Sequence, residues 1–129
     1  MLPARIGPFN QNDEVIKMEF NELQYKRCAF YVRYYNDKMK TNQLLSLMEF
    51  CHEYGILLGY SAYFEDYMND EYTERKNFSQ LIKIAKLGEI EVIVVHSSHF
   101  IDLDYNQFCS LKNELHQNNV QLITLSDIS

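Results

Sequence analysis

Two arginines carry the clearest chemical signal in the chain. Arg33 lies near the end of an aromatic and β-branched run, "AFYVRYY" (residues 29–35), and Arg75 stands just ahead of a helical apolar stripe. Two guanidinium forks brought together would hold an anion such as a phosphate, because each presents planar donors matched to a pair of oxygens. The same residues can instead form ion pairs with the many nearby acids, and spacing alone favours that structural use. A second group, His96, Ser97, Ser98 and His99, follows a run of apolar residues. A hydroxyl beside an imidazole can act as a nucleophile, but sequence order does not fix the geometry a triad needs. The plainer reading is a polar loop entry. Cys51-His52 and the two later histidines do not form a metal set, which needs ligands converging from several elements. No metal or cofactor is expected. The acidic run "FEDYMNDEYTE" (residues 64–74) lacks the glycine and spacing of a calcium loop. It reads as a solvated loop, with Asp37, Asp66 and Asp70 able to approach one another at a sheet edge.

These residues need a scaffold, and periodicity supplies one. Cys28 to Tyr34 reads as a first strand. Leu44, Leu47, Met48 and Cys51 repeat at helical spacing, and Gly55 closes that helix. Ile56 to Tyr63 reads as a second strand. Phe78, Leu81, Ile82 and Ala85 mark a second helix, closed by Gly88. Glu91 to His96 is apolar without alternation, the mark of a strand buried on both faces. Asp104 and Gln107 are spaced as a capping box ahead of Phe108, Leu111 and Leu115. "NNVQLITL" (residues 118–125) leads into a fourth strand. Alternating strands and helices imply an α/β domain whose mostly parallel sheet has right-handed crossovers. Ligands of such sheets bind beyond the carboxyl ends of the strands. Here those ends are Arg33 to Asn36, Phe64 to Asp70, His96 to Phe100, and Leu125 onward.

Composition narrows the classes. A chain of 129 residues suits one domain, able to bury roughly two-thirds of its unfolded surface without disulfides or metal. Residues 1–26 read as an N-terminal arm, with Ile16, Phe20 and Leu23 on a short helical face, and residues 27–129 as the α/β domain. The net charge of −6 argues against a general nucleic-acid binder. Three widely spaced cysteines suit a reducing compartment, and no signal-peptide core or membrane span is visible. A cytoplasmic protein is expected. Four glycines form neither a dinucleotide fingerprint nor a phosphate loop.

In order and spacing these residues resemble the catalytic domain of the serine recombinases, the resolvases and invertases. Tyr31, Val32, Arg33, Tyr34 and Tyr35 stand in the frame of that family's Tyr-x-Arg-Val-Ser. Gln43 matches a glutamine opening its first helix, and Gly55 a glycine before its second strand. Phe64, Glu65, Asp66 and Arg75 fit its Tyr/Phe-x-Asp turn and later arginine. "FSQLIKIAKLGEIEVIVV" and "NQFCSLKNELHQNNVQLITL" look like its next helices and strands, so the similarity runs ungapped from about Cys28 to Leu125. The resemblance implies a three-layer, resolvase-like α/β fold with about four strands. It also implies phosphate-binding positions at Arg33 and Arg75, and the catalytic nucleophile position at Tyr35.

The chain departs from the family where the chemistry is done. Tyr35 replaces the serine that attacks the DNA phosphodiester. Asn69-Asp70 replace Ser-Gly. The family's Asp-Arg-x-x-Arg falls on His99, Phe100 and Leu103, with no Lys or Arg between His96 and Asp104. A nucleophile displaced by about 1 Å already costs on the order of 10²-fold, and each lost charge-stabilising donor roughly 10²–10³. The expectation is therefore a domain that has lost strand exchange and acts as an interaction or regulatory module in DNA recombination. The alternatives are residual DNA or phosphate binding through Arg33, Arg75 and Lys76, or an unrelated small enzyme on a flavodoxin-like fold. Weakly held DNA, a protein partner or a second copy are the expected partners. With the sequence ending at Ser129, the family's long dimerisation helix and DNA-binding segment are not expected in this chain.

Overall fold

A computed structural model describes residues 22–67, 75–97 and 104–127. Four strands form one parallel sheet in the order β2-β1-β3-β4, with β1 Cys28–Tyr34, β2 Ala62–Tyr67, β3 Val92–Val95 and β4 Gln121–Thr124. Three helices make the crossovers: α1 Asp37–Tyr54, α2 Lys76–Lys86 and α3 Tyr105–Gln117. Strand alternation divides the core into two layers. Cys28, Phe30 and Val32 face α1 through Leu47, Phe50, Cys51 and Tyr54. Ala29 and Tyr31 face α2 and α3 through Phe78, Leu81, Ala85 and Leu115. β3 serves both layers, which is why its four residues are all apolar and fully buried. The fold is the three-layer α/β arrangement expected from the sequence.

Local chemistry sets the helix ends. Asn36 caps α1, its side chain accepting from the Met39 N–H at 2.8 Å. Gly55 ends the helix at φ 70°, a left-handed conformation that a side chain resists. At α3, Asp104 accepts from the Gln107 N–H at 2.8 Å while Gln107 accepts from the Asp104 N–H at 3.2 Å, the reciprocal capping box.

The second strand differs from the sequence expectation. Of the expected residues 56–63, only Ala62 and Tyr63 belong to it. Leu58–Tyr60 make a 3-10 turn, and the strand starts at Ala62 and runs through Glu65 and Asp66. The apolar run misleads because Leu57 and Tyr60 point to solvent, while the two acids find partners that the strand brings to them. Phe64 to Tyr67 are thus strand, not solvated loop; residues 68–74 lie outside the described residues. On α1 the inner stripe is Leu47, Phe50, Cys51 and Tyr54, while Met48 is half exposed. Leu23 is buried against the α1 layer, within a 3-10 turn Leu23–Tyr25. Ile16 and Phe20 lie outside the described residues. Cys28 and Cys51 are buried free thiols and Cys109 is half-buried. Among the described residues no helix is long and apolar enough to cross a membrane.

Candidate functional site

At the carboxyl ends of β1 and β2, a buried polar cluster sits on the α2 face of the sheet. Tyr31 and Arg33 are two apart on β1 and so share that face, and the register pairs Arg33 with Asp66 of β2. The Tyr31 hydroxyl donates to Asp66 Oδ2 at 2.8 Å. The same oxygen accepts from the Phe78 N–H at 2.8 Å, and Oδ1 from the Asn77 N–H at 3.1 Å. Asp66 therefore occupies the amino end of α2, where free amides and the helix dipole favour negative charge. Amides that would meet an external anion are engaged by an internal carboxylate.

Both arginines border this cluster. Arg75 is the residue immediately before α2, its guanidinium 5.4 Å from the centre of the Phe78 ring. Arg33 and Arg75 are 3% and 8% exposed, so neither is displayed on the surface. Burial, then the Asp66 hydrogen bond and charge, push the Tyr31 phenol well above the ordinary tyrosine range. The charges of Arg33 and Arg75 oppose that shift, which places both cations within electrostatic reach of Tyr31. Lys76, the first residue of α2, is exposed.

Gln43 holds the end of β1. β3 pairs with β1 only as far as Tyr31, opposite Val95, so Arg33 lies beyond its reach. The buried Gln43 carboxamide donates to the Arg33 carbonyl at 2.8 Å and accepts from the Arg33 N–H at 3.3 Å. It also donates to the Met39 carbonyl at 3.2 Å. A side-chain amide here stands in for a strand. Tyr35, two residues on, is 53% exposed and lies past the end of β1.

The opposite face of the same strand ends carries a separate group. Tyr34 donates to Glu65, Lys40 bridges to Glu65 at 3.1 Å, and the Lys40 ammonium lies 5.1 Å from the Tyr34 ring centre. Burial works against ionisation of Glu65, yet the hydrogen bonds from Tyr34 and Lys40 and the Lys40 charge prevail and hold its pKa below the ordinary carboxylate value. The Tyr34 phenol is raised chiefly by its bond to Glu65.

The remaining candidates do not converge on either group. His96 and Ser97 follow β3 and are half-buried; Ser98 and His99 lie outside the described residues, as do Asn69, Asp70, Phe100 and Leu103. Asp37 is exposed at the start of α1 while Asp66 is turned into the α2 cluster. Among the described residues no three metal-ligating side chains gather. Tyr31 and Asp66 hold the cluster together and Gln43 holds the strand end beside it; the sequence marked Tyr31 and Gln43 only as matching a pattern, and Asp66 also as an acid able to approach Asp37 and Asp70. The alternation that puts Tyr31 and Arg33 on one face was readable; the Arg33–Asp66 register was not.

Comparison with known proteins assigns the fold to a family. The family model described as the resolvase N-terminal domain matches residues 28–129. No curated protein matches the chain. Among solved structures, the N-terminal catalytic domain of TP901-1 integrase is similar with a TM-score of 0.66 at 16% identity, over 79% of this chain and 78% of that one. The C-terminal catalytic domain of ISC1926 TnpA, an IS607-like serine recombinase, gives 0.60 at 15% identity, over 77% and 70%. A serine recombinase from Sulfolobus solfataricus gives 0.58 at 14% identity, over 78% and 68%. At such identities the likeness is one of fold. Taken with the family match over most of the chain, it makes this a serine-recombinase-like domain related to DNA recombination, and the chain belongs to the resolvase N-terminal domain family.

Proposed function

We propose that this domain has lost DNA strand exchange and serves as an interaction or regulatory module tied to DNA recombination. One observation carries the reading. The Tyr31–Asp66 scaffold and its flanking arginines are built as a closed, buried cluster whose carboxylate is taken up by the Tyr31 hydroxyl and the α2 amides, while the nucleophile position beside it holds Tyr35. A phenol oxygen lies several ångström farther from its backbone than a serine oxygen. No Lys or Arg stands between His96 and Asp104 to stabilise a pentavalent phosphate. A nucleophile out of place and missing donors together remove many orders of magnitude in rate. In this reading residues 27–129 form the module and residues 1–26 an arm attached to it, with buried Leu23 supporting the attachment.

A second reading, residual phosphate binding, draws support from Arg33, Arg75 and Lys76 sharing the carboxyl-end region beside the α2 amino terminus. It must displace Asp66 from the α2 amides and expose two arginines that are more than nine-tenths buried. Binding of a labelled duplex at low and physiological salt, for wild type and for Arg33→Ala/Arg75→Ala, separates the two. The module reading predicts no binding that depends on these arginines. Affinity falling steeply with salt and lost in the double variant would establish the phosphate reading instead.

A further inference from the structure

On the α1 side of the sheet, away from the arginine cluster, a cleft of about 450 Å³ opens between the last turns of α1 and the segments that follow β3 and β4. Its floor is apolar: Phe50 and Tyr54, whose ring centroids lie 4.9 Å apart, together with Leu125. Glu49 and Glu53 form its rim on α1, and His96 stands on the wall at the end of β3.

The two glutamates are what the fold leaves unexplained. They are four residues apart on one helix face, where like charges repel. Glu53 also sits in the last turn of α1, where the helix dipole disfavours negative charge. Both are exposed, and neither carboxylate makes a hydrogen bond or ion pair among the described residues. No lysine or arginine lines the cleft among those residues. The Glu53 charge reaches the floor, adding to burial in raising the Tyr54 phenol. A cation entering the cleft would relieve both unfavourable terms.

We propose that this cleft is a docking pocket for an arginine side chain presented by a protein partner. The inference rests on reading the domain as an interaction module and names the chemistry that module would recognise. Arginine fits better than lysine. Its planar guanidinium can lie against aromatic floor groups while its fork meets two carboxylates, and it sheds water more readily than an ammonium. Its methylene stem matches the apolar floor. Partners that handle DNA carry basic surfaces, complementary to this chain's net charge of −6.

The test titrates the 129-residue chain with N-acetyl-arginine amide and follows the His96 imidazole by NMR. N-acetyl-lysine amide and N-acetyl-citrulline amide serve as controls. The pocket predicts a saturable shift with the arginine probe, with a dissociation constant in roughly the millimolar range, weakened about tenfold or more in Glu49→Gln/Glu53→Gln. Lysine should bind more weakly and citrulline should not bind. Three results would each overturn the proposal: no saturable shift at up to roughly tens of millimolar, a lysine or citrulline response equal to that of arginine, or an arginine response unchanged in the double variant. Failure of the probe leaves the module reading standing. A Tyr35-dependent DNA adduct would remove that reading without altering the probe result.

Discussion

Replacing Asp66 with alanine would test whether the carboxyl-end cluster is a closed structural unit. Its carboxylate is 6% exposed and accepts three hydrogen bonds, from Tyr31 at 2.8 Å, Phe78 N–H at 2.8 Å and Asn77 N–H at 3.1 Å. Hydrogen bonds to a charged acceptor contribute roughly 1.5–3 kcal/mol each, and bonds sharing one carboxylate do not add fully. Removing one partner of a buried charge group costs roughly 3–5 kcal/mol, because the opposite charges stay buried. Both estimates put Asp66→Ala near about 4 kcal/mol, a large share of the roughly 5–15 kcal/mol that holds a domain together. Tyr31→Phe removes one bond and leaves the α2 amides satisfied, so its cost is about 1–2 kcal/mol. In the Asp66→Ala background the same change should be neutral or stabilising, since the Tyr31 hydroxyl has by then lost its acceptor. Urea unfolding followed by far-UV circular dichroism reads all three as midpoint shifts at constant slope. An Asp66→Ala cost below about 1 kcal/mol, or strict additivity of the two substitutions, would refute the reasoning.

Three further outcomes follow from the same geometry. Gln43→Ala leaves the buried Arg33 N–H and C=O unmet and should cost roughly 2–3 kcal/mol, with faster amide exchange at Arg33; unchanged exchange there would contradict the strand-substitute role. Gly55→Ala forces a side chain into φ 70° with its Cβ 3.0 Å from Gln24 Oε1, costing roughly 1–2 kcal/mol; an unchanged melting temperature would show that the turn is not held there. The Cys28 and Cys51 thiols are both pushed up by burial from 9.0 to about 11, Cys28 further by the Glu91 charge and Cys51 by the Cys28 charge. Unfolded thiols ionise first, so their contribution is complete below about pH 9 and is lost as pH rises through about 11. The slope is at most roughly 1.4 kcal/mol per pH unit per thiol. Cys51→Ala should flatten the alkaline decline in the urea midpoint, and an identical decline in both proteins would contradict this.

The sequence exposes what local rules decide. The α3 cap was readable because Asp104 and Gln107 satisfy each other's backbone without outside help. β1 and β3 were readable because runs of apolar and aromatic residues, broken only by Arg33, have few other uses. β2 was misplaced because Glu65 and Asp66 look like loop residues until Tyr34, Lys40, Tyr31 and the α2 amides are brought to them. Their partners are between 11 and 35 positions away, and no local pattern encodes them. The arginines were picked out by type and order, but their burial depends on the β1–β2 register and on α2 folding back over it. Gln43 shows the same limit: its family match was visible, while its purpose appears only once β3 is seen to stop at Val95.

We propose that the scaffold of a serine recombinase domain survives here without its reaction. The most direct measurement incubates the protein with negatively supercoiled DNA, quenches with denaturant, and assays for nicking and for protein covalently joined to DNA, with Tyr35→Phe alongside. Neither nicks nor adduct are expected, in wild type and variant alike. A covalent adduct formed by wild type and absent in Tyr35→Phe would contradict the proposal.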